Sequence, residues 1–124
     1  MKFTLSKQVK DAINNNKPVL ALESTIISSG MPFPQNIQFQ NKAEKTCLDL
    51  GVVPAPIAII KGEIHIGLEE KELLFIATDK SVKKISKREI GICLEKKCSG
   101  ATTVSSTSHI AFNAGIKVFS TGGI

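Results

Sequence analysis

Val19-Leu20-Ala21-Leu22-Glu23-Ser24-Thr25-Ile26-Ile27-Ser28-Ser29-Gly30-Met31-Pro32-Phe33-Pro34 is the stretch on which the fold turns. Lys17-Pro18 ends whatever precedes it, and four apolar residues then follow without interruption. A short continuous apolar run is the pattern of a strand buried on both faces of a parallel sheet. Glu23 stands directly at the exit of that strand. Ser24 to Pro34 is rich in Ser, Gly and Pro, so the chain leaves into a loop on the carboxyl side of the sheet. Open α/β sheets bind their ligands on that side.

Helices and strands alternate outward from this point. Upstream, Val9, Ala12 and Ile13 fall at i, i+3 and i+4, which predicts a helix over Lys7 to Asn15 with Ser6 as its cap. Downstream of Asn36, the stripe Phe39, Ala43, Cys47 and Leu50 predicts a second helix closed by Gly51. Ile57 to Ile60 is a second apolar run, Lys61-Gly62 a turn, and Ile64, Ile66 and Leu68 alternate with Glu63, His65 and Gly67, as in a β-hairpin. Glu69 to Ala77 returns to helical spacing through Leu73 and Leu74, and Val82 to Ile85 reads as a brief strand. Ser86-Lys87-Arg88-Glu89 matches a capping box opening a helix towards Lys97 through Ile90, Cys93 and Leu94, stopped by Ser99-Gly100.

Ala101 to Ser108 is almost wholly small and hydroxylated. A helix through Ile110, Ala111 and Ala114 follows, capped by Gly115, and Ile116 to Phe119 is a strand delivering Ser120-Thr121-Gly122-Gly123. This alternation predicts one domain over residues 1–124, an α/β fold of three α/β/α layers around a mostly parallel sheet. The pattern stops at a glycine turn with no helix to cover the last strand, so it reads as truncated at its C-terminus.

The composition fits such a fold. With 42% hydrophobic and 22% charged residues in 124, the chain is ordered and large enough to hold a core without disulfides. No apolar run approaches the ~20 residues of a membrane span, and Met1 to Lys10 has no secretory apolar stretch, so the expected compartment is the cytoplasm. Cys47, Cys93 and Cys98 are odd in number and without CxxC spacing, and read as core thiols. His65 and His109 have no second ligand at metal spacing and read as structural. The net charge of +5 gathers locally at Lys80, Lys83, Lys84, Lys87 and Arg88. Phe is the only aromatic type, which leaves few stacking platforms for nucleic acid. A small anionic substrate or a plain solvated basic face accounts for the charge.

Glu23 is the most informative candidate, because a carboxylate at the exit of a buried strand is costly unless paired, hydrogen-bonded or protonated. Partial burial would raise its pKa towards the range that suits an acid–base catalyst. The other reading is a carboxylate accepting loop N–H bonds from Ser24 to Gly30. Gly100-Ala101-Thr102-Thr103-Val104-Ser105-Ser106-Thr107 leads into a helix whose N-terminus would receive a phosphate, or is simply a capped helix start. It lacks the Gly-Lys-Ser/Thr of a Walker loop. Thr121-Gly122-Gly123 either lets backbone approach a ligand or is a turn. Lys84, at the end of a short strand, would pair with an anion or serve as a surface lysine. Ser24 and Ser28 lack the nucleophile-elbow pattern and are not read as nucleophiles.

Ala21-Leu22-Glu23-Ser24-Thr25-Ile26-Ile27-Ser28, followed by Gly30-Met31-Pro32-Phe33-Pro34-Gln35-Asn36, resembles the signature of the pseudouridine-5'-phosphate glycosidase, or indigoidine synthase A-like, family. Val53-Pro54-Ala55 with Ile57-Ala58-Ile59-Ile60, then Gly100-Ala101-Thr102-Thr103-Val104, then Ala114 to Phe119 with Thr121-Gly122-Gly123-Ile124, agree in the same order. The resemblance covers essentially the whole chain. It implies cleavage of the C–C glycosidic bond of pseudouridine 5'-phosphate with water, to uracil and ribose 5-phosphate, by a manganese-using homotrimer. A C-glycoside has no leaving oxygen to protonate, so the base must be protonated at carbon while the sugar is held covalently.

By the same resemblance Glu23 matches the proton-donating glutamate and Lys84 the substrate-binding lysine. Val104, with Thr103 beside it, matches a substrate-contacting position, and Thr121 looks like a further pocket residue. Ser29 stands where the family usually has histidine. The family's metal-binding aspartate and the nucleophilic lysine that forms a Schiff base with the sugar are expected past Ile124, and Lys117 matches a different position of the pattern. The chain by itself is therefore expected to be inactive, with no metal ligand of its own. A non-catalytic sugar-phosphate-binding α/β module is the competing class, and nucleic-acid binding a distant third.

Overall fold

The structure, a computed structural model, describes residues 1–123, so the resemblance at Ile124 lies outside the described residues. β1 (Phe3–Leu5), α1 (Lys7–Asn14) and β2 (Val19–Leu22) open the chain, and a π-helical turn (Ile26–Gly30) leads into α2 (Gln35–Asp49). β3 (Val53–Ile60) and β4 (Glu63–Ile66) form the hairpin, followed by α3 (Glu70–Thr78) and β5 (Lys83–Ile85). A 3-10 turn (Lys87–Glu89) runs into α4 (Ile90–Glu95), then come β6 (Gly100–Thr102), α5 (Val104–Asn113) and β7 (Val118–Ser120).

β3 is the spine, and it changes partner along its length. Val53 to Pro56 pair in parallel with β2, whose other edge pairs in parallel with β7. From Ile57 to Ile60 one edge pairs antiparallel with β4, which carries β1 in parallel beyond it. The other edge, at Ala58 and Ile59, pairs antiparallel with β6, and β5 adds in parallel to that strand. β2 and β6 therefore occupy one edge of β3 in succession, and the sheet forks between them. Four of the six strand pairs among the described residues are parallel, as the alternating sequence predicts.

Side-chain alternation in β3 makes the three layers. Val53, Ala55, Ile57 and Ile59 face one core with Val9 and Ala12 of α1, Ile90 and Cys93 of α4, and Ile110 and Ala111 of α5. Ala58 faces the opposite core with Ile27 of the π turn and Leu73, Ile76 and Ala77 of α3. Both faces of a strand that reads as VPAPIAII are thus covered, which is why seven of its eight residues are buried.

Several expectations need correction. The Ser24 to Pro34 loop contains the π turn, because the amides of Ile27 and Ser28 both donate to the Ser24 carbonyl and start a helical turn. The hydroxylated run is divided between a strand and a helix: Gly100 to Thr102 join the sheet, and α5 begins at Val104, six residues before Ile110. β2 buries only Ala21 fully; Val19, Leu20 and Leu22 are half-exposed. α2 buries Asn36 and Gln40 rather than its apolar stripe, and Phe39 and Leu50 are exposed. Lys84 lies within β5, not at its end.

The cysteines are not three free thiols. Cys93 and Cys98 are joined as a disulfide, and Cys47 stays free and half-buried on α2. The chain reverses at Lys97, in the left-handed region at φ 53°, and folds Cys98 back under the core-facing Cys93.

Gly67, directly after β4, lies against the side chains of Ser6 and Val9 at the start of α1. Its φ of +81° is left-handed, and a Cβ there would strike Ser6 Oγ and stand 2.7 Å from Val9 Cγ2. Gly67→Ala is expected to cost ~1–3 kcal/mol through strain and loss of the Ser6 cap. Urea unfolding should show a lower midpoint with an unchanged slope.

Candidate active site

Leu22 of β2 pairs with Ser120 of β7, so the next residue of each strand emerges at the same height. These residues are Glu23 and Thr121, and the Thr121 hydroxyl donates to Glu23 Oε1 at 2.5 Å. The pair borders an open cavity of about 270 Å³ between the strand ends and α2, lined also by Ile26, Phe39, Gln40 and Ala43. Glu23 is half-buried. No amide from Ser24 to Gly30 donates to its carboxylate among the described residues, so its partner is Thr121 and not the loop.

Behind Glu23 lies a buried hydroxyl network. Ser24 Oγ donates to the Ile57 carbonyl at 2.6 Å and accepts from the Thr102 amide at 2.8 Å. Thr102 Oγ1 donates to the same Ile57 carbonyl at 2.6 Å and accepts from Thr107 Oγ1 at 2.8 Å. The Ser24 amide and Thr25 Oγ1 both donate to the Thr102 carbonyl, at 3.2 and 2.8 Å. Ser24, Thr102 and Thr107 are each fully buried. They close the fork where β2 gives way to β6 on β3, and fix the strand ends that flank Glu23.

Thr103 caps α5. Its amide reaches the Ile85 carbonyl at 3.2 Å and Ser106 Oγ at 2.9 Å, while Ser106 Oγ donates to the Ile85 carbonyl at 2.6 Å. The capped-helix reading of the Gly100–Thr107 run therefore holds, with Val104 half-buried as the first helical residue. Lys84 is exposed on β5 opposite Ala101. Of the candidate residues, Glu23 and Thr121 touch directly. Thr103 and Val104 directly follow Thr102, which bonds to Ser24, the residue after Glu23. Lys84 stays on the outer strand and, like Thr103 and Val104, does not line the cavity of Glu23.

Other titratable groups lie apart. His65 is buried, with Nδ1 3.2 Å from Glu72 Oε2 and Nε2 3.9 Å from Glu63 Oε2, and belongs to the hairpin and α3. Burial pushes the Glu44 carboxyl up, opposed by a hydrogen bond from Gln40 Nε2 at 2.7 Å. The Ser86 amide and hydroxyl both donate to Glu89, at 2.7 Å each, and hold its carboxyl below the usual range. No group of three or more His, Cys, Asp or Glu side chains converges on a metal-sized space among the described residues. No helix among them is long and apolar enough to cross a membrane.

Sequence reasoning missed Ser24, Thr102 and Thr107 as parts of the site. The hydroxylated run was visible, but its partner Ser24 lies 78 residues away in sequence from Thr102.

A family model for indigoidine synthase A like protein matches residues 8–124. Proteins named pseudouridine-5'-phosphate glycosidase are similar to this chain at 54% identity over 97% of it in Caldanaerobacter subterraneus subsp. tengcongensis and 53% over 94% in Alkaliphilus metalliredigens. The chain spans 39% and 38% of those two relatives' length. The crystal structure of the prealnumycin C-glycosynthase AlnA in complex with ribulose 5-phosphate superposes with a TM-score of 0.87 at 37% identity, over 98% of this chain and 39% of that one. An indigoidine synthase A-like protein from Thermotoga maritima gives a TM-score of 0.82 at 34% identity, over 86% and 36%.

Thr102→Val keeps shape but leaves the buried Thr107 hydroxyl without its acceptor, at an expected cost of ~1–3 kcal/mol. Ser24→Ala should cost a similar amount, and a double-mutant cycle by urea unfolding should be non-additive because both hydroxyls serve Ile57. A second expectation concerns pH. The depressed carboxyl of Glu89 stabilises the fold fully above the ordinary carboxylate range and loses that contribution as pH falls through the depressed value. Thermal unfolding of Glu89→Gln should consequently be less pH-dependent than wild type below pH ~4.3.

Proposed function

Because the chain belongs to the indigoidine synthase A-like family, we propose that it carries the acid portion of a pseudouridine-5'-phosphate glycosidase, which cleaves the C–C glycosidic bond reversibly with water to uracil and ribose 5-phosphate. The observation that carries this reading is Glu23 at an open cavity with the Thr121 hydroxyl on one carboxyl oxygen, in a chain about half identical to proteins of that name.

The chemistry suits the geometry. Breaking a bond from sugar carbon to base carbon requires a proton at the base carbon, and a carboxylic acid at the cavity wall can deliver it. Thr121 engages Oε1 as a donor, which leaves the second oxygen of Glu23 to hold the transferable proton. Lys84, Thr103 and Val104 are the residues this reading assigns to the sugar phosphate, and the ribulose 5-phosphate bound in AlnA supports that class of ligand.

Manganese, a homotrimeric assembly and a cytoplasmic setting are further parts of the proposal. The residues of this chain do not fit the metal, since no three ligating side chains converge among those described. The reading likewise assigns the Schiff-base lysine to none of the residues 1–124.

The test is a chimera in which this chain replaces the matching N-terminal segment of the Staphylococcus aureus relative, to which it is 50% identical. The chimera should release uracil from pseudouridine 5'-phosphate. Glu23→Gln in it should lower kcat by ~10²–10⁴-fold with KM little changed. Binding of ribose 5-phosphate without any turnover would instead favour a non-catalytic module.

A further inference from the structure

Four helices end in the same way. In α1, α2, α4 and α5 the second residue past the cap donates its amide back five residues, Lys17 to Ala12, Val52 to Cys47, Cys98 to Cys93 and Ile116 to Ala111, at 2.8–3.0 Å. The residue between cap and donor is left-handed in each: Asn16, Gly51, Lys97 and Gly115. This is the Schellman ending, which juxtaposes two side chains six residues apart counting both, usually in an apolar contact. In α4 those two side chains are both cysteines, with Cα atoms 5.1 Å apart, inside the span a disulfide requires.

We propose that Cys93 and Cys98 are a reversible redox pair, exchanging with low-molecular-weight thiols and disulfides, whose oxidation state sets the rigidity of the entry to β6. Cys93 is 2% exposed and packed in the core, whereas Cys98 is partly exposed, so Cys98 is the sulfur that incoming reagents reach. In oxidation the Cys98 thiolate attacks a small disulfide, forming a mixed disulfide and releasing one thiolate. The Cys93 thiolate then attacks the Cys98 sulfur and releases the second. Two electrons pass from the cysteines to the small disulfide, and the two cysteine protons end on two small thiols. Reduction is the reverse, opening at Cys98.

The backbone cap survives either state, because the hydrogen bonds from Lys97 to Leu94 and from Cys98 to Cys93 do not involve sulfur. What changes is how firmly the turn is held. Lys97 is a left-handed residue with a side chain, a conformation that glycine adopts freely and lysine does not. In the reduced protein hydrogen bonds retain it without a covalent tie to the helix. The same short segment anchors its surroundings: the Cys98 carbonyl accepts from the Gly62 amide at 2.9 Å, Ser99 Oγ from Lys61 at 2.9 Å and the Ser99 carbonyl from Lys83 at 3.0 Å. Gly100 to Thr102 follow directly as β6 and lead into the hydroxyl network, so looseness at Cys98 is passed to the strand behind Glu23.

The experiment equilibrates the protein in oxidised glutathione or in excess dithiothreitol. Thiols are counted by alkylation after denaturing quench and mass spectrometry, and amide hydrogen exchange is followed in both states. The expected result is one alkylated thiol, Cys47, in the oxidised sample and three in the reduced one. Exchange at Gly62, Lys97, Cys98 and the β6 amides should be at least about fivefold faster on reduction, with α2 unchanged as internal reference. Cys98→Ser should exchange at the reduced rate in both buffers. Three alkylated thiols in oxidised glutathione, or equal exchange in the two states, would overturn the proposal.

Discussion

The carbonyl of Ile57 sits where β3 has left β2 and has not yet met β6, and the folded chain depends on how that oxygen is satisfied. A fully buried carbonyl without a donor is among the more expensive defects a small domain can carry. Here two side-chain hydroxyls, those of Ser24 and Thr102, converge on it at 2.6 Å each. The two residues also tie their strands together, since the Thr102 amide donates to Ser24 Oγ and the Ser24 amide to the Thr102 carbonyl. A valine or alanine at either position would leave the Ile57 carbonyl with a single side-chain donor. The fork is thus a polar seam inside an otherwise apolar spine, and it fixes the residues on either side of it.

That seam explains the location of the acid. Glu23 precedes Ser24 by one residue, and Ser24 is immobilised by four hydrogen-bonding contacts to Ile57 and Thr102. A half-buried carboxylate is useful only if its direction is reproducible, and here one flank is the last paired residue of β2 and the other is the fork. Thr121 comes from the neighbouring parallel strand in the same register. The geometry at the carboxyl therefore rests on sheet pairing and not on the conformation of a loop.

Much of this was legible from residue patterns, and the part that was not has a common cause. Strands with continuous apolar runs, the Lys61-Gly62 turn, the Ser6 cap and the Ser86–Glu89 box are local, and each was readable from neighbours within four positions. Glu23 and Thr121 stood out as strand-exit residues. The contact between them spans 98 residues, and that between Ser24 and Thr102 spans 78. β6 has only three residues, all small, and owes its strand conformation to Ala58, Ile59 and β5 rather than to its own propensity. The pairing of Cys93 with Cys98 was equally hidden, because its cause is the helix ending at Lys97, a lysine where the reading looks for glycine.

α2 shows the same priority of polar geometry over apolar pattern. Its periodic stripe of Phe39, Ala43, Cys47 and Leu50 predicts a core-facing surface, yet the residues it buries are Asn36 and Gln40. Asn36 accounts for this: its side-chain amide donates to the Ile27 carbonyl at 2.8 Å and to the Ala77 carbonyl at 3.0 Å, tying the π turn after Glu23 to the end of α3. Both carbonyls belong to residues packed in the second core, where a missing donor is costly. Rotating α2 to bury its apolar stripe would break both bonds and release the turn. The helix is instead held with Asn36 inward, which leaves Phe39 and Ala43 along the wall of the cavity that Glu23 faces. The apolar side of α2 thereby becomes part of the candidate site, supplying an apolar surface beside the acid.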